Sequence, residues 1–509
     1  MNNNTGKTTS LWMATADVPP RPALEQDIQT EVCIIGAGIA GLSTAYFLAH
    51  AGKKVVVLEA GAIGGGMSAR TTAHINNAFD DGYAEVERLH GAEGARGVAD
   101  SHSAAIDHIE AIVRKENIDC EFERVDGYLF VPRGESPEAL DRELAAAQRA
   151  GLQGVERLAR APLDCFDTGP CLRFPRQGQF HLLKYLAGLA AAVERAGGVI
   201  HANTRVRHTH SGRPAQARTE AGATVSAGHL VVATNSPIND HVTLHTKQAP
   251  YTTYVIGARV PGDAVPPMQL WDTADPYHYV RVQRLPQADY DVLMVGGEDH
   301  KTGQAQDAQA RWQRLEAWAR ERFPMIEAVD YRWSGQVMEP VDALAFIGRN
   351  PGDSPNVYVA TGDSGDGMTH GTLAGMLLAD LILGRENPWA GLYDPARKPL
   401  SAVGEYLSEN LNVARQFADY VSGGEADSVD AIAPGQGAVV RSGLTKIAAY
   451  RDEDGALHRC SAVCTHLNCI VAWNPAEATW DCPCHGSRFD RYGRVINGPA
   501  HQDLKRVSE

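Results

Sequence analysis

The chain has little of several features that would place it in a specialised class. Its 509 residues carry 47 Lys and Arg against 62 Asp and Glu, a formal net charge of -15, and contain no basic block. Nucleic acids and anionic membranes both need a basic face on their partner, so neither is an expected partner. No apolar stretch is long enough to cross a bilayer, and the polar N-terminus shows no secretory signal. The expectation is a soluble, cytoplasmic protein.

The length exceeds what one hydrophobic core can fill, so the chain should divide into domains. Residues 31–35 and 54–59 have the continuous apolar pattern of buried parallel strands, and residues 39–50 between them are typical of a helix. This unit predicts an α/β, doubly wound sheet. Between residues 250 and 297, short segments rich in Tyr, Val and Thr indicate an inserted antiparallel sheet.

Nine cysteines are few for this length, but five of them lie between Cys460 and Cys484. A Cys-x-His pair occurs at 464–466 and a Cys-Pro-Cys-His run at 482–485. In [2Fe-2S] centres with mixed ligation, two thiolates hold one iron and two imidazoles hold the other. The predicted ligands are Cys464, His466, Cys482 and His485. Zinc also accepts two Cys and two His, but the usual finger spacings do not leave a single residue between Cys and His.

These two loops resemble those of the Rieske proteins of cytochrome bc-type complexes, over residues 435–504 and including Gly-Pro-Ala at 498–500. The resemblance implies a small all-β domain. It also implies a disulfide between Cys469 and Cys484 that joins the cluster loops, and a hydrogen bond from Ser487 to a bridging sulfide. Cys460 is left over and is expected to be a buried apolar residue.

A second motif, Gly-Ala-Gly-Ile-Ala-Gly at 36–41, follows the first predicted strand and opens the helix, and Glu59 ends the next strand. The glycines let the backbone approach a pyrophosphate at the positive end of the helix, while the acid takes the ribose hydroxyls. The motif alone does not separate FAD from NAD. Because the sequence contains only one such motif, a second, built-in NAD(P)H site is not expected.

Segments 61–72 and 357–369 resemble the D-amino-acid oxidase (glycine/sarcosine oxidase-like) family of flavoproteins, over about residues 31–384. The resemblance implies FAD in a Rossmann-type domain that carries an inserted, β-rich substrate domain. Motif and resemblance together predict cofactor contacts at Gly36, Gly38, Ile39, Ala40, Gly41, Glu59, Ala60, Arg70, Thr71, Thr72, Ala73, Val206, Ala233, Thr234, Gly362, Asp363, Gly367, Met368 and Thr369. For Val206, Ala233 and Thr234, packing in the sheet core is an equal alternative.

The chain is therefore predicted to contain a leader, a discontinuous FAD-binding domain, a substrate domain, a helical linker and a Rieske domain. The ranges are 1–30 for the leader; 31–83, 176–245 and 335–395 for the FAD-binding domain; 84–175 and 246–334 for the substrate domain; 396–434 for the linker; and 435–509 for the Rieske domain.

These parts predict an FAD-dependent, dehydrogenase-like enzyme that oxidises a small amine or amino-acid-like substrate by hydride transfer to FAD. A one-electron relay through the cluster would then serve an external carrier, namely a ferredoxin, a cytochrome or a quinone-linked protein. The candidate catalytic residues are His74 and His370. Tyr254, Gln336 and Glu339 also lie near segments expected to border the flavin. Whether the chain forms a homo-oligomer stays open.

Two alternatives also stay open. In the first, a reductase or ferredoxin feeds electrons through the cluster to the flavin, as in a monooxygenase or demethylase. In the second, the chain is a non-enzymatic electron carrier or redox sensor, although such a protein has little use for a chamber over the flavin. A Rieske oxygenase is disfavoured because the sequence offers no second iron site with two His and a carboxylate.

Phe489 sets an expectation for the reduction potential of the cluster. High-potential members of the Rieske group have a tyrosine two residues beyond the serine, and this chain has Phe489 there, so one hydrogen bond to a cysteine sulfur is missing. We expect a reduction potential below that of the high-potential members, measured by redox titration of the purified protein. An equally high potential would contradict this expectation.

Overall fold

The structure is a computed structural model that describes residues 6–239, 243–286, 288–398, 400–420, 423–443 and 445–507. The first five residues of the predicted leader and residues 399, 421 and 422 of the predicted linker lie outside this range. Among the described residues, no helix has the length and apolar character needed to span a membrane.

The secondary structure elements are numbered in chain order. The helices are α1 (Leu11–Thr15), α2 (Ile39–His50), α3 (Tyr83–Glu116), α4 (Glu138–Arg149), α5 (Leu182–Arg195), α6 (Ala308–Arg322), α7 (Gly367–Leu383) and α8 (Val403–Gln416). Single 3-10 turns occur at Met67–Arg70, Leu400–Ala402, Phe417–Tyr420 and Val429–Ala431. The strands are β1 (Ile28–Ile35), β2 (Val55–Leu58), β3 (His74–Ile75), β4 (Glu123–Phe130), β5 (Glu156–Leu158), β6 (Cys171–Gln179), β7 (Val199–His201), β8 (Val206–His210), β9 (Ala215–Thr219), β10 (Thr224–Val232), β11 (Gln248–Pro261), β12 (Gln269–Asp272), β13 (His278–Gln283), β14 (Tyr290–Lys301), β15 (Ala328–Pro340), β16 (Phe346–Arg349), β17 (Val357–Thr361), β18 (Gly437–Ser442), β19 (Thr445–Arg451), β20 (Leu457–Ser461), β21 (Ala472–Asn474), β22 (Thr479–Asp481), β23 (Arg488–Asp490) and β24 (Val495–Asn497).

The first sheet is the predicted doubly wound one, with strand order β16-β17-β10-β1-β2-β7. Strands β17, β10, β1, β2 and β7 run parallel. Most of their apolar side chains are buried because helices cover the sheet, and Val199 on the edge strand β7 is exposed. The apolar segment 199–206 forms two strands and not one, since β7 ends at His201 and β8 begins at Val206. Between them, Asn203 adopts a left-handed conformation with φ 48°, and the backbone N–H of Thr204 bonds to the carbonyl of Glu59. The chain therefore turns there instead of continuing as a strand.

The second sheet has the order β15-β11-β14-β13-β12-β4-β6-β3, with β5 on the edge of β6. It joins both predicted parts of the substrate domain, because β4 to β6 come from the earlier part and β11 to β15 from the later one. The expectation of antiparallel pairing holds along most of the sheet, but β12 and β4 run parallel. Their segments lie far apart in the chain, so no hairpin fixes their relative direction.

The C-terminal part is small and all-β, with a three-stranded sheet, β18-β19-β20, and a four-stranded one, β21-β22-β23-β24. Its hydrogen bonding begins before residue 435, since Glu425 and Ala426 already bond to the carbonyl of Val439. The predicted leader is also tied into the fold. Trp12 is fully buried, and its indole N–H donates to the carbonyl of Thr71 over 2.6 Å.

One ion pair joins the α/β part of the chain to the C-terminal domain across 407 residues of chain. Arg70 Nη1 donates to Glu477 Oε1 over 2.8 Å, and both side chains have no exposed surface. Ser334 Oγ donates to the same carboxylate over 2.6 Å. Burial alone would raise the pKa of Glu477, but the charges of Arg70 and Arg488 outweigh it and lower that pKa to about 2. The carboxylate is therefore ionised wherever the fold persists.

Glu477→Gln should destabilise the protein by about 3–5 kcal/mol, because it leaves the Arg70 guanidinium buried without a counter-charge. The free energy of unfolding is measured by urea titration with tryptophan fluorescence. In the unmodified protein, the stability contributed by Glu477 is full above the ordinary carboxyl pKa of 4.5 and is lost as the pH falls from there through about 2. The variant should lack this acid-dependent loss.

The matched control is Glu85→Gln, which breaks the pair between Glu85 and Arg88, both solvent-exposed side chains. Water screens that pair, so we expect little change in the free energy of unfolding. Equal effects of the two substitutions would show that the buried pair does not hold the domains together.

Candidate functional site

The turn from β1 to α2 places glycine backbone at the carboxyl ends of the parallel strands. Gly36 has φ +107°, and a Cβ there would lie 2.3 Å from the carbonyl oxygen of Ala233. A Cβ on Gly41 would lie 1.9 Å from the carbonyl oxygen of Gly36. Only glycine fits both positions, so the turn stays tight and the helix N-terminus faces the cavity above the sheet, where an anion is favoured.

Glu59 follows β2 and borders the same cavity. Its carboxylate accepts backbone hydrogen bonds from Ala37 over 2.7 Å and from Gly61 over 2.9 Å. Burial raises the pKa of Glu59, although these two hydrogen bonds oppose that shift. The side chain is thus fixed at the mouth of the turn, in the position expected for a group that binds ribose hydroxyls.

Most of the predicted cofactor contacts line this cavity. They are Gly36, Gly38, Ile39, Ala40, Glu59, Ala60, Arg70, Thr71, Thr72, Val206, Ala233, Thr234, Gly362, Asp363, Gly367 and Met368. Three others lie behind its surface. Gly41 packs against Gly36, Ala73 is fully buried, and Thr369 Oγ1 donates to the carbonyl of Asn76 over 3.0 Å.

The cavity offers buried polar atoms that a polar cofactor can satisfy. Asn235 Nδ2 and Asp363 Oδ1 are buried without a hydrogen-bond partner, and both residues line the cavity. Buried polar groups are rarely left unpaired, so such atoms indicate a ligand. Together with the glycine turn and Glu59, they fit a dinucleotide.

The two candidate catalytic histidines are close to the cavity and hydrogen-bonded within the protein. His370 contacts His102 through their Nε2 atoms over 3.2 Å, and burial lowers the pKa of His370 to about 4. His74 contacts Thr72 Oγ1 over 2.9 Å, and burial, together with the charge of Arg281, lowers the pKa of His74 to about 3. Because their pKa values are lowered, both imidazoles are weak bases at ordinary pH, which suits side chains that shape the cavity.

Arg70 was expected to contact the cofactor, and its side chain has another structural task. Its guanidinium donates to Glu477, to the carbonyl of Ser334 and to Thr8. No sequence pattern indicates this role, because an ion pair over such a separation leaves no local signal.

The second group of predicted residues lies in two loops of the C-terminal domain, one after β20 and one between β22 and β23. Each loop is closed by a backbone hydrogen bond of 2.8 Å, from Cys464 to Cys469 and from Cys482 to Ser487. The disulfide implied for Cys469 and Cys484 is present and joins the two loops. The four predicted ligands are thereby brought together.

The donor set of these loops fits a [2Fe-2S] cluster with mixed ligation. The rings of His466 and His485 lie 5.1 Å apart, and Nδ1 of His485 is buried without a hydrogen-bond partner. Burial and the neighbouring His466 and His245 lower the pKa of His485 to about 3, which keeps it in the neutral form that binds metal. Ser487 Oγ accepts from the backbone of Ala500 over 3.0 Å, so its own proton stays available to the cluster.

The cluster loops are docked against the wall of the dinucleotide cavity. Gln336 lines the cavity, donates to the carbonyl of Gly486 over 3.0 Å and accepts from Asn497 over 2.8 Å. Gly486 directly follows His485 in the chain. The ring of His245, a buried residue, lies 5.0 Å from that of His466. Sequence reasoning named Gln336 only as a neighbour of the flavin and missed His245, since neither stands in a motif.

Family comparisons agree with both halves of this geometry. The chain matches the family described as FAD dependent oxidoreductase over residues 31–381 and the Rieske [2Fe-2S] domain over residues 424–508. The first match spans more than half of the chain. The two predicted cofactors, FAD and one [2Fe-2S] cluster, are those that these families bind.

Individual relatives show the same combination or its flavoprotein part. The chain is 31% identical over 508 residues to the Rieske 2Fe-2S iron-sulfur protein YhfW of Bacillus subtilis, which covers 98% of this chain and 97% of the relative. It is 29% identical over 403 residues to gamma-glutamylputrescine oxidoreductase of Escherichia coli, covering 75% and 90%. Glycine oxidase from Geobacillus kaustophilus matches with a TM-score of 0.62 at 18% identity, over 73% of this chain and 99% of that chain. That likeness shows the fold.

Glu59→Gln should weaken FAD binding roughly 10- to 100-fold, because hydrogen bonds to a charged group contribute about 1.5–3 kcal/mol. The dissociation constant is measured by titrating FAD into the FAD-depleted protein. The control is Glu386→Gln, at an exposed acid outside the cavity. It should leave the dissociation constant for FAD unchanged. An unaltered FAD affinity in Glu59→Gln would remove Glu59 from the cofactor site.

Proposed function

Because this chain belongs to the FAD-dependent oxidoreductase family and carries a Rieske domain, we propose that it oxidises a small amine or amino-acid-like substrate and delivers the electrons to an external one-electron acceptor. The relative that acts on gamma-glutamylputrescine supports an amine as substrate. In the proposed reaction, the substrate carbon loses a hydride and the nitrogen loses a proton, which gives an imine.

The observation that carries the proposal is the shared wall between the two cofactor sites. Val495, Asn497, Gly498 and His501 of the C-terminal domain line the dinucleotide cavity together with residues of the flavoprotein part. Gln336 spans this wall, with its backbone facing Met67 and its side chain bonded to Gly486. A built-in junction of this kind suits electron transfer within one chain.

When bound, FAD takes up two electrons as a hydride and the Rieske cluster holds one electron at a time, so the pair couples two-electron to one-electron chemistry. We assign the cluster to Cys464, His466, Cys482 and His485. The FAD contacts are proposed at the predicted positions that line the cavity. His74 and His370 were predicted as catalytic residues, and we propose instead that they shape the reacting region, since both are weak bases held by hydrogen bonds.

The buried ion pair of Arg70 and Glu477 contributes to the proposed function by position alone. The pair is buried between the two parts of the chain, and it holds the C-terminal domain against β15, the strand that carries Ser334 and Gln336. The domain is thus held with its cluster loops facing Gln336. A relay that depends on this docking needs no movement of the domain between its two electron-transfer steps.

The decisive experiment uses Cys464→Ser. With substrate and without oxygen, the variant should still lose its oxidised flavin absorbance, but it should reduce cytochrome c at a small fraction of the unmodified rate, because the cluster is absent. Electron paramagnetic resonance of the reduced protein reports whether the cluster has been lost.

Cys460→Ser is the matched control, since Cys460 is a buried cysteine of the same domain and lies outside both cluster loops. It should keep the cluster and the acceptor turnover. If acceptor turnover were unchanged in Cys464→Ser despite loss of the cluster signal, the relay would be refuted.

A further inference from the structure

One region of the dinucleotide cavity is lined by aromatic rings and a carboxylate. Trp271, Tyr277 and Tyr279 from the β12–β13 hairpin line it together with Asp80. The hydroxyl of Tyr277 donates to Asp80 Oδ2 over 3.1 Å, and the rings of Tyr277 and Tyr279 lie 5.5 Å apart. Aromatic faces and a carboxylate are the groups that recognise an organic cation.

Further carboxylates stand behind Asp80. The backbone N–H of Asp80 bonds to Asp366 Oδ2 over 3.3 Å, and Asp366 lies at the start of α7. Ser364 Oγ contacts both Asp81 Oδ2, over 3.0 Å, and Glu339 Oε2, over 2.8 Å. A hydroxyl donates only one proton, so the second contact requires a protonated carboxyl group.

These acids are crowded together, which favours their protonated forms, and a cation bound beside them would favour the ionised form of Asp80. Asp80 faces the open cavity, yet the surrounding protein and then the charge of Asp81 raise the pKa of Asp80 to about 8.

Among the described residues that line the cavity, the side chains that carry a fixed positive charge are Arg70, Arg205 and Arg207. Arg70 is paired with Glu477. The other two bond to Ile496 and His501 of the C-terminal domain.

An independent observation also indicates a ligand here. Asn76 is only 6% exposed and lines the cavity, and its Oδ1 is buried without a hydrogen-bond partner. Its backbone N–H contacts Thr369 Oγ1 over 3.3 Å, one helical turn beyond Asp366 on α7. Asn76 and Asp80 therefore border the same first turn of that helix, and Asn76 adds an unused acceptor to the carboxylates and rings.

We propose that Trp271, Tyr277, Tyr279 and Asp80, with Asn76 beside them, form a subsite for an alkylammonium group. The substrate is then an aliphatic amine or diamine that lacks a carboxylate next to the nitrogen. An α-amino acid would bring its carboxylate to a region rich in acids, and the arginines that line the cavity in the described part of the chain are bonded elsewhere. This assignment of the substrate class rests on the proposed function.

Binding of tetramethylammonium tests the subsite without turnover, because this cation has no nitrogen lone pair and cannot be oxidised to an imine. Calorimetric titration of the holoprotein should show saturable binding, and uncharged tert-butanol, of similar shape, should bind at least about tenfold more weakly. Asp80→Asn should weaken tetramethylammonium binding by a similar factor. The amide oxygen of asparagine can still accept the hydrogen bond from the Tyr277 hydroxyl, so the substitution keeps this contact.

Asp119→Asn is the matched control, since Asp119 is an exposed acid that does not line the cavity, and it should bind the cation like the unmodified protein. Absence of saturable binding, equal binding of tert-butanol, or unchanged binding in Asp80→Asn would each overturn the subsite.

A bleaching experiment separates the subsite from the proposed function. Under anaerobic conditions, butylamine should reduce the flavin, and 2-aminopentanoate, which differs only by its carboxylate, should not. Bleaching by 2-aminopentanoate alone would overturn the subsite and keep the proposed function. Bleaching by neither compound nor by any diamine, with tetramethylammonium still bound at Asp80, would overturn the proposed function and support the subsite.

Discussion

The buried ion pair between Arg70 and Glu477 is the contact on which the arrangement of this protein depends. Neither side chain is exposed, so the pair cannot be separated without leaving a charge inside the protein. Such pairs add little net stability compared with apolar packing, but they favour one arrangement, because a buried charge without an opposite charge is costly. Here the specificity fixes which face of the C-terminal domain meets the flavoprotein part.

That fixed docking explains why two cofactor sites share one wall. Residues of the last strand and the following turn of the C-terminal domain, including Asn497 and Gly498, line the dinucleotide cavity. Gln336 joins them to the loop that carries His485. A cluster domain that had to swing between partners would need an interface that opens, whereas this interface contains a desolvated charge pair. The geometry favours a domain that stays in place and meets an external acceptor on another surface.

The cavity itself combines two opposite electrostatic regions. The turn at Gly36 presents the positive end of α2, which suits a pyrophosphate. Around Asp80 and Asp366, carboxylates crowd together without a fixed positive charge beside them among the described residues. Different residues line the two regions, so the same cavity can hold an anionic cofactor group at the turn and, in the proposed function, a cationic substrate beside Asp80.

The sequence by itself determined the local chemistry. The glycine turn with Glu59, the two Cys-His loops, the α/β sheet and the small β domain all follow from patterns within a few tens of residues, since turns, caps and ligand spacings are local constraints. Only the tertiary structure decided which residue pairs with Arg70, which loop the side chain of Gln336 contacts, and which carboxylates and rings surround Asp80. Those contacts join segments separated by up to 407 residues, and burial and long-range packing leave no periodic signal in a single sequence.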